Sequence, residues 1–202
     1  QEQTHETVLE IDLNAMAHNL HAFRALLQPG VRTMVMVKAF SYGSGSYEIA
    51  RLLEQEGADY LGVAIADEGV ALRKAGIRLP IVVMNPHTAS FRSMIQHKLE
   101  PEIYNERALQ TFIQAVRAGG QRHYPVHIKL DTGMHRLGFL PDELPRLQAL
   151  LQANQNEIHV QSLFSHLAAT DEPRLDDFTQ GQIRRFREMA GLVKQSLGNT
   201  PL

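Results

Sequence analysis

The sequence predicts an α/β fold, most simply a (β/α) barrel. Short apolar runs alternate with amphipathic stretches along the 202 residues, and these stretches are long enough to serve as crossovers between parallel strands. No glycine fingerprint for dinucleotide binding follows the first apolar run. The candidate reactive residues follow several different runs. This distribution favours a barrel over a doubly wound sheet, because barrel enzymes collect reactive groups from many strand ends at one face.

Hydrophobic periodicity predicts six strands and seven helices. The strands cover 33–37, 60–64, 81–84, 100–103, 126–130 and 160–165, and the helices cover 15–27, 47–56, 66–75, 89–97, 106–118, 141–152 and 178–198. Asp12 supplies a cap for the first helix, and Gly57 and Gly76 end the second and third. A closed barrel of this type has about eight strands. We therefore expect a TIM-type barrel truncated after six strands, with open sheet edges.

Composition excludes several classes of function. A net charge of −2 and a pI of about 6.6 argue against a surface for nucleic acid or acidic membrane. The densest basic run, 184–187, is interpreted as the solvated face of a late helix. Cysteine is absent, which excludes disulfides and thiolate chemistry and fits a cytoplasmic location. The ten histidines show no metal-ligand spacing, so we expect no metal, and no apolar run is long enough to span a membrane.

Lys38 directly follows the first predicted strand, and Tyr42, Gly43 and Gly45 come after it. The glycines precede the helix 47–56, where free backbone N–H groups would bind a phosphate. An amine beside a phosphate site is what pyridoxal phosphate requires, because the amine forms an imine with the cofactor aldehyde. The alternative is a strand-end lysine that only carries its charge into water.

Two further segments follow predicted strands and carry polar side chains. Residues 129–138 read KLDTGMHRLG and include Lys129 and Arg136, while His166 follows the sixth strand. Each also has an ordinary interpretation, as a polar glycine turn or as a structural histidine.

These three segments resemble those of alanine racemases, which are fold-type III pyridoxal-phosphate enzymes. Residues 37–45, VKAFSYGSG, resemble the cofactor-lysine signature, with Phe40 and Ser44 where the family usually has Asn and His. Residues 129–138 resemble the arginine segment, with His135 where glycine is commoner. Residues 163–172 resemble the histidine-bearing segment at the sixth strand.

The resemblance implies roles for five residues. Lys38 would be the catalytic lysine that binds pyridoxal phosphate, and Tyr42 would contribute to the cofactor site. Arg136 would bind the cofactor's phenolic oxygen and the substrate carboxylate, while His166 would support the cofactor's hydrogen-bond network. Lys129 would face the barrel interior, and in many relatives this lysine is carbamylated and orients the arginine.

The resemblance also implies a reaction, the interconversion of L- and D-alanine for peptidoglycan precursors by a cytoplasmic homodimeric isomerase. Residues 8–202 then form a partial cofactor-binding barrel, and residues 1–7 a polar leader or interdomain linker. The 37–45 variant resembles the racemase half of bifunctional ligase–racemase chains.

The family continues into two more strands and a β domain, which supplies a tyrosine as second base. No tyrosine of this chain matches that base, so we expect the isolated fragment to be inactive. Other interpretations stay open: a fold-type III decarboxylase, a racemase for another amino acid, or a non-catalytic cofactor-binding or structural barrel module.

Overall fold

The computed structural model describes residues 7–197 and has a six-stranded parallel sheet flanked by helices. The strands pair in sequence order, so β1 and β6 are the two edges of the sheet within the described range. Their bounds are Met34–Met36 (β1), Tyr60–Val63 (β2), Ile81–Val83 (β3), Glu100–Ile103 (β4), Tyr124–Lys129 (β5) and Ile158–Phe164 (β6). The predicted α/β class and all six predicted strands are confirmed, with ends displaced by up to two residues.

Residues 7–197 contain eight α-helical segments, of which the first precedes β1 and the last follows β6. They are α1 (Leu13–Ala25), α2 (Lys38–Tyr42), α3 (Tyr47–Gln55), α4 (Ala66–Lys74), α5 (Phe91–Gln96), α6 (Glu106–Ala118), α7 (Leu144–Ala153) and α8 (Asp176–Ser196). The predicted helices 89–97 and 141–152 begin with separate 3₁₀ turns, Thr88–Ser90 and Pro141–Glu143. The short helix α2 was not predicted. Residue 198, the last of the predicted final helix, and residues 1–6 of the predicted leader lie outside the described residues.

Side-chain caps explain where two of the helices begin. Asp12 accepts hydrogen bonds from the N–H groups of Asn14 and Ala15 at 2.9 and 3.0 Å, which confirms the predicted cap of α1. Asn105 accepts from the N–H of Ala108 at 2.8 Å at the start of α6. Each cap satisfies donors that have no partner inside the helix.

The apolar core lies between the sheet and the helices. Leu61, Val83 and Ile128 from the strands are fully buried, as is Phe112 from α6. Phe91 of α5 packs edge-to-face against Phe112, with ring centroids 5.0 Å apart. This burial supplies the main driving force for attaching the helices to the sheet.

The opposite face of β4, β5 and β6 is polar and buried. Glu100 and Glu102 alternate along β4, and His127 and Lys129 alternate along β5. His127 bonds to both Glu100 and Ser162 of β6, each at 2.7 Å. Side chains two residues apart share one face of a strand. This face therefore carries two polar layers, and the layer of Glu102 and Lys129 lies nearer the carboxyl ends of the strands.

In the described part of the chain, no helix is long and apolar enough to cross a membrane.

Candidate active site

Lys38 lies at the carboxyl end of β1 and begins a left-handed turn. Ala39, Phe40, Ser41 and Tyr42 all have positive φ angles, of 51°, 56°, 50° and 57°. This conformation brings Cβ close to the following carbonyl oxygen and costs about 1–2 kcal/mol per residue. Four consecutive strained residues therefore need compensating contacts from the surrounding structure.

Glu68 provides such a contact from α4. One of its carboxylate oxygens accepts from the N–H of Ala39 at 2.8 Å, and the other accepts from the N–H of Ala64, after β2, at 2.7 Å. The carboxylate thus ties the residue after Lys38 to the end of the neighbouring strand. Sequence reasoning missed Glu68, whose only local signal is an acidic residue in the first turn of a helix.

The glycines after Lys38 do not form the predicted phosphate site. The N–H of Gly43 donates to Ala39 and Phe40, the N–H of Ser44 to Ser41 at 3.2 Å, and the N–H of Gly45 to Phe40 at 3.0 Å. These groups close the left-handed turn, so the expectation that they are free to bind an anion was wrong. Sequence patterns for glycine predict an unusual backbone angle but not which carbonyl each N–H will find.

Tyr42 remains close to the lysine and reaches solvent. Its ring centroid is 5.9 Å from the Lys38 Nζ, and its side chain is exposed. The Ser41 hydroxyl beside it is buried, and it has no hydrogen-bond partner among the described residues. The turn therefore presents one amine and one phenol near the end of β1, while the Ser41 hydroxyl is buried beneath it.

Arg136 lies in a loop that Asp131 organises. Asp131 accepts from the N–H groups of Gly133 and His135 at 2.9 and 3.1 Å, and its second oxygen lies 3.2 Å from the His135 ring nitrogen. Burial favours a raised pKa for Asp131, but these bonds and the His135 ring outweigh it and lower that pKa below its ordinary value of 3.8. At Gly138 a Cβ atom would lie 2.5 Å from the backbone nitrogen of Asp131, so the loop returns tightly to the strand.

Two side chains of α8 hold this loop and the loop after β6 together. Gln182 is fully buried; its amide donates to the Thr132 hydroxyl and the His166 carbonyl at 3.3 and 3.1 Å. Arg185 donates to the Thr132 carbonyl at 2.7 Å. The interpretation of 184–187 as only a solvated face was therefore wrong for Arg185, because the side chain crosses to a loop that is distant in sequence.

Lys129 is buried at the end of β5 and forms an ion pair. Its Nζ donates to Glu102 at 3.0 Å, and the Glu102 side chain is fully buried. Burial raises the pKa of Glu102, although Lys129 and Arg136 act to lower it. Sequence reasoning required a partner for a buried lysine but did not identify Glu102. The alternation of Glu100 and Glu102 on a buried strand was the available signal.

The pKa of His166 is affected by the charges of the other predicted site residues. Burial lowers the pKa of His166 below 6.5, and the nearby positive charges of Arg136, Lys129 and Lys38 lower it further. Charges act at this strength only over short distances. Lys38, Lys129 and His166 lie at or just after the ends of β1, β5 and β6, and Arg136 lies in the loop after β5, so all four belong to the carboxyl edge of the sheet.

A family model described as the N-terminal domain of alanine racemase matches residues 11–202. The chain belongs to the alanine racemase N-terminal domain family. "Alanine racemase 1" from Oceanobacillus iheyensis is 36% identical over 182 residues, which are 89% of this chain and 47% of that protein. The alanine racemase from Symbiobacterium thermophilum is 37% identical over 183 residues, again 89% of this chain and 47% of that protein.

Solved alanine racemases share the fold. The enzyme from the D-cycloserine producer Streptomyces lavendulae superimposes with a TM-score of 0.87 at 31% identity, covering 95% of this chain and 50% of that one. The enzyme from Clostridium difficile in complex with cycloserine gives a TM-score of 0.82 at 30% identity, covering 89% and 49%. The chain thus spans about half the length of the relatives it matches.

The cofactor of alanine racemases, pyridoxal phosphate, is chemically compatible with this site. It is an anion with an aldehyde, and the site combines a primary amine on Lys38 with the positive charges of Lys129 and Arg136 around His166. Within residues 7–197, no three His, Asp or Glu side chains are grouped to hold a metal ion.

Proposed function

We propose that this chain is the cofactor-lysine portion of a pyridoxal-phosphate-dependent alanine racemase. The observation that carries the proposal is that Lys38, Lys129 and His166 lie at or just after the carboxyl ends of β1, β5 and β6, with Arg136 in the loop after β5, in a chain of the alanine racemase family. Active sites of (β/α) barrels form at this face.

Lys38 has two functions in this proposal. Its Nζ would hold the cofactor, and its amine would serve as the base that removes the α-proton of alanine. When bound, pyridoxal phosphate supplies an aldehyde for attachment and a ring that stabilises negative charge at the α-carbon. The strained turn, held by Glu68 through Ala39, fixes the backbone from which this amine extends.

Arg136, Tyr42 and His166 position the reactants. The Arg136 guanidinium would bind the substrate carboxylate and the phenolic oxygen of the cofactor, for which a planar double donor is suited. Tyr42, whose ring centroid lies 5.9 Å from the Lys38 Nζ, would contribute its hydroxyl to the cofactor site. A lowered pKa keeps His166 neutral near pH 7, so it serves as a hydrogen-bonding group without adding a fourth positive charge.

The complete protein would act in the cytoplasm as a homodimer and supply D-alanine for peptidoglycan precursors. The resemblance to bifunctional ligase–racemase chains stays a prediction. Racemisation requires a base on each face of the α-carbon, and the tyrosines of this chain do not match the family's second base. A partner subunit's β domain would provide it.

A lysine substitution tests the proposal. In the complete protein that carries this segment, we expect K38A to abolish the yellow colour of bound cofactor and to lower kcat by at least about a thousandfold, since general base and covalent attachment are both lost. K74A, which removes an exposed lysine of α4, is the matched control. Wild-type activity in K38A would refute the proposal, and faster turnover of another amino acid in a substrate panel would reassign it.

The segment alone provides a second test. We expect the 202-residue polypeptide to racemise alanine at a negligible rate even with saturating cofactor, because it lacks the second base. Racemisation by the purified segment that disappears in K38A would contradict this assignment of the two bases.

A further inference from the structure

The ion pair between Glu102 and Lys129 is unusual because both side chains are removed from water. The exposed fraction of the side chain is 0% for Glu102 and 7% for Lys129, and the single hydrogen bond between them is 3.0 Å long. Burial of two charges is costly unless each is paired and its remaining hydrogen-bonding atoms are satisfied. One such atom of this pair is not satisfied.

The second carboxylate oxygen of Glu102 is that atom. It is buried and has no hydrogen-bond partner among residues 7–197. Arg136 lies in the loop that returns to Lys129, where the Phe139 N–H donates to the Lys129 carbonyl at 2.9 Å, and its positive charge also acts on Glu102. Among residues 7–197 the Arg136 guanidinium has no hydrogen bond or ion pair to fix it. The free carboxylate oxygen of Glu102 thus lacks a donor, and the nearby Arg136 guanidinium lacks an acceptor.

We propose that Glu102 is a positioning residue, whose carboxylate holds Lys129 as an unmodified ammonium with one oxygen and orients Arg136 with the other. The part that concerns Arg136 rests on the proposed function, because it assumes that this guanidinium binds the substrate carboxylate. The part that concerns Lys129 depends only on the buried pair.

The chemistry of the pair opposes carbamylation of Lys129. Carbamylation joins Nζ of the neutral amine to the carbon of CO₂ with loss of a proton, and it converts a cation into an anion. The Glu102 carboxylate stabilises the protonated amine, which cannot attack CO₂. A carbamate would also place a second anion beside a buried carboxylate. Glu102 already provides the negative group that such a modification would create.

Glu100 provides a matched control on the same strand face. It lies two residues before Glu102 and pairs with His127 at 2.7 Å, one layer further from the carboxyl ends of the strands. It is therefore a glutamate with a comparable buried partner but without the connection to Arg136. Replacing Glu100 tests whether the loss of any carboxylate from the sheet interior changes the site as much as the loss of Glu102.

Carbon-13 NMR of the complete protein equilibrated with ¹³C-labelled bicarbonate tests the state of Lys129. We expect no lysine-carbamate resonance in the wild type. A carbamate resonance that is present in the wild type and absent in K129M would overturn the inference for Lys129. This readout needs neither cofactor nor substrate, so it stands whatever the fate of the proposed activity.

Binding of propionate to the cofactor-free protein tests the effect on Arg136, because propionate carries the carboxylate of alanine without its amine. We expect E102Q to weaken propionate binding about tenfold or more, as R136M does, and E102D to restore part of it, while E100Q leaves it unchanged. Binding by E102Q equal to that of the wild type would overturn the positioning role.

Two controls keep these outcomes separable. If E102Q does not fold, the double variant E102Q/K129M removes both buried charges and is measured instead. Failure of the wild type to racemise alanine would refute the proposed function, whereas normal wild-type racemisation with unchanged propionate binding in E102Q would refute only the role of Glu102.

Discussion

His166 is the residue whose ionisation reports on the whole cluster. Burial and then Arg136, Lys129 and Lys38 lower its pKa below 6.5. Because the charged form is disfavoured in the folded state, the free energy of unfolding should fall as the pH drops from 6.5 towards the lower folded pKa. Above pH 6.5 the group is neutral in both states and contributes nothing to this dependence.

The pKa of His166 is our first prediction at this scale. We expect NMR titration of the ring to give a value below 6.5 in the wild type and a higher value in R136M, because one nearby positive charge is lost. R184M removes an exposed arginine from α8 and should leave the titration unchanged. An unaltered His166 pKa in R136M would mean that Arg136 does not share this site.

The second prediction at this scale concerns Asp131, whose charged form is favoured in the folded state, whereas that of His166 is disfavoured. Its folded pKa lies below 3.8, so its contribution to stability is present above that pH and lost as the pH falls through the folded pKa. D131A should lower the free energy of unfolding by about 2 kcal/mol at pH 7, because two N–H groups lose a charged acceptor. Urea unfolding at several pH values measures both effects.

The matched variants for Asp131 are D131N and D142N. D131N keeps an acceptor oxygen but not the charge. It should therefore reduce the loss of unfolding free energy at acid pH, which is the acid limb of the plot of stability against pH. D142N alters an exposed aspartate and should not. An acid limb that is equally steep in D131N would rule out Asp131 as its source.

At the scale of the element, α2 is a strained turn that begins at Lys38. Ala39 has φ 51° and ψ 50° and is exposed. We predict that A39G raises the free energy of unfolding by about 1 kcal/mol, because glycine adopts this conformation without the Cβ penalty. Chemical denaturation of the two proteins provides the measurement.

The same substitution in an ordinary helix should have the opposite sign. Ala71 is an exposed residue within the right-handed helix α4, and A71G should lower the free energy of unfolding by about 1 kcal/mol. If A39G destabilised the protein as much as A71G, the turn would not be strained in the way the backbone angles indicate.

At the scale of the whole molecule, the open sheet leaves apolar surface beside β1. A groove of about 390 Å³ lies between α1 and β1, and Phe23 and Met34 line it. Their exposed fractions are 70% and 41%, and β1 pairs only with β2 among the described strands. Exposed edges and apolar patches of this kind promote association.

We therefore predict that the isolated 202-residue polypeptide self-associates with increasing concentration. Light scattering after size-exclusion chromatography should show dimers or larger species, and F23K should shift them towards monomer. L192K, which alters an exposed leucine of α8, is the control. A monodisperse monomer at high concentration would contradict the prediction.

The predictable part of the fold is the part that short-range patterns encode. The six strands follow from apolar runs, and the cap at Asp12 follows from local side-chain chemistry. The left-handed turn at residues 39–42 was missed because none of these residues is a glycine, the residue type that signals a positive φ. Its stability depends on Glu68, which lies 29 residues from Ala39.

The sequence by itself determined the α/β class and the positions of the six strands along the chain, because both depend on periodicity. The roles of the motif residues Lys38, Arg136 and His166 stay predictions. Only the tertiary structure decided that Glu102 pairs with Lys129 and that Gln182 joins the two loops. Those contacts span 27 and up to 50 residues. Such partners become neighbours when parallel strands align at one edge, and no local pattern encodes which side chains will then meet.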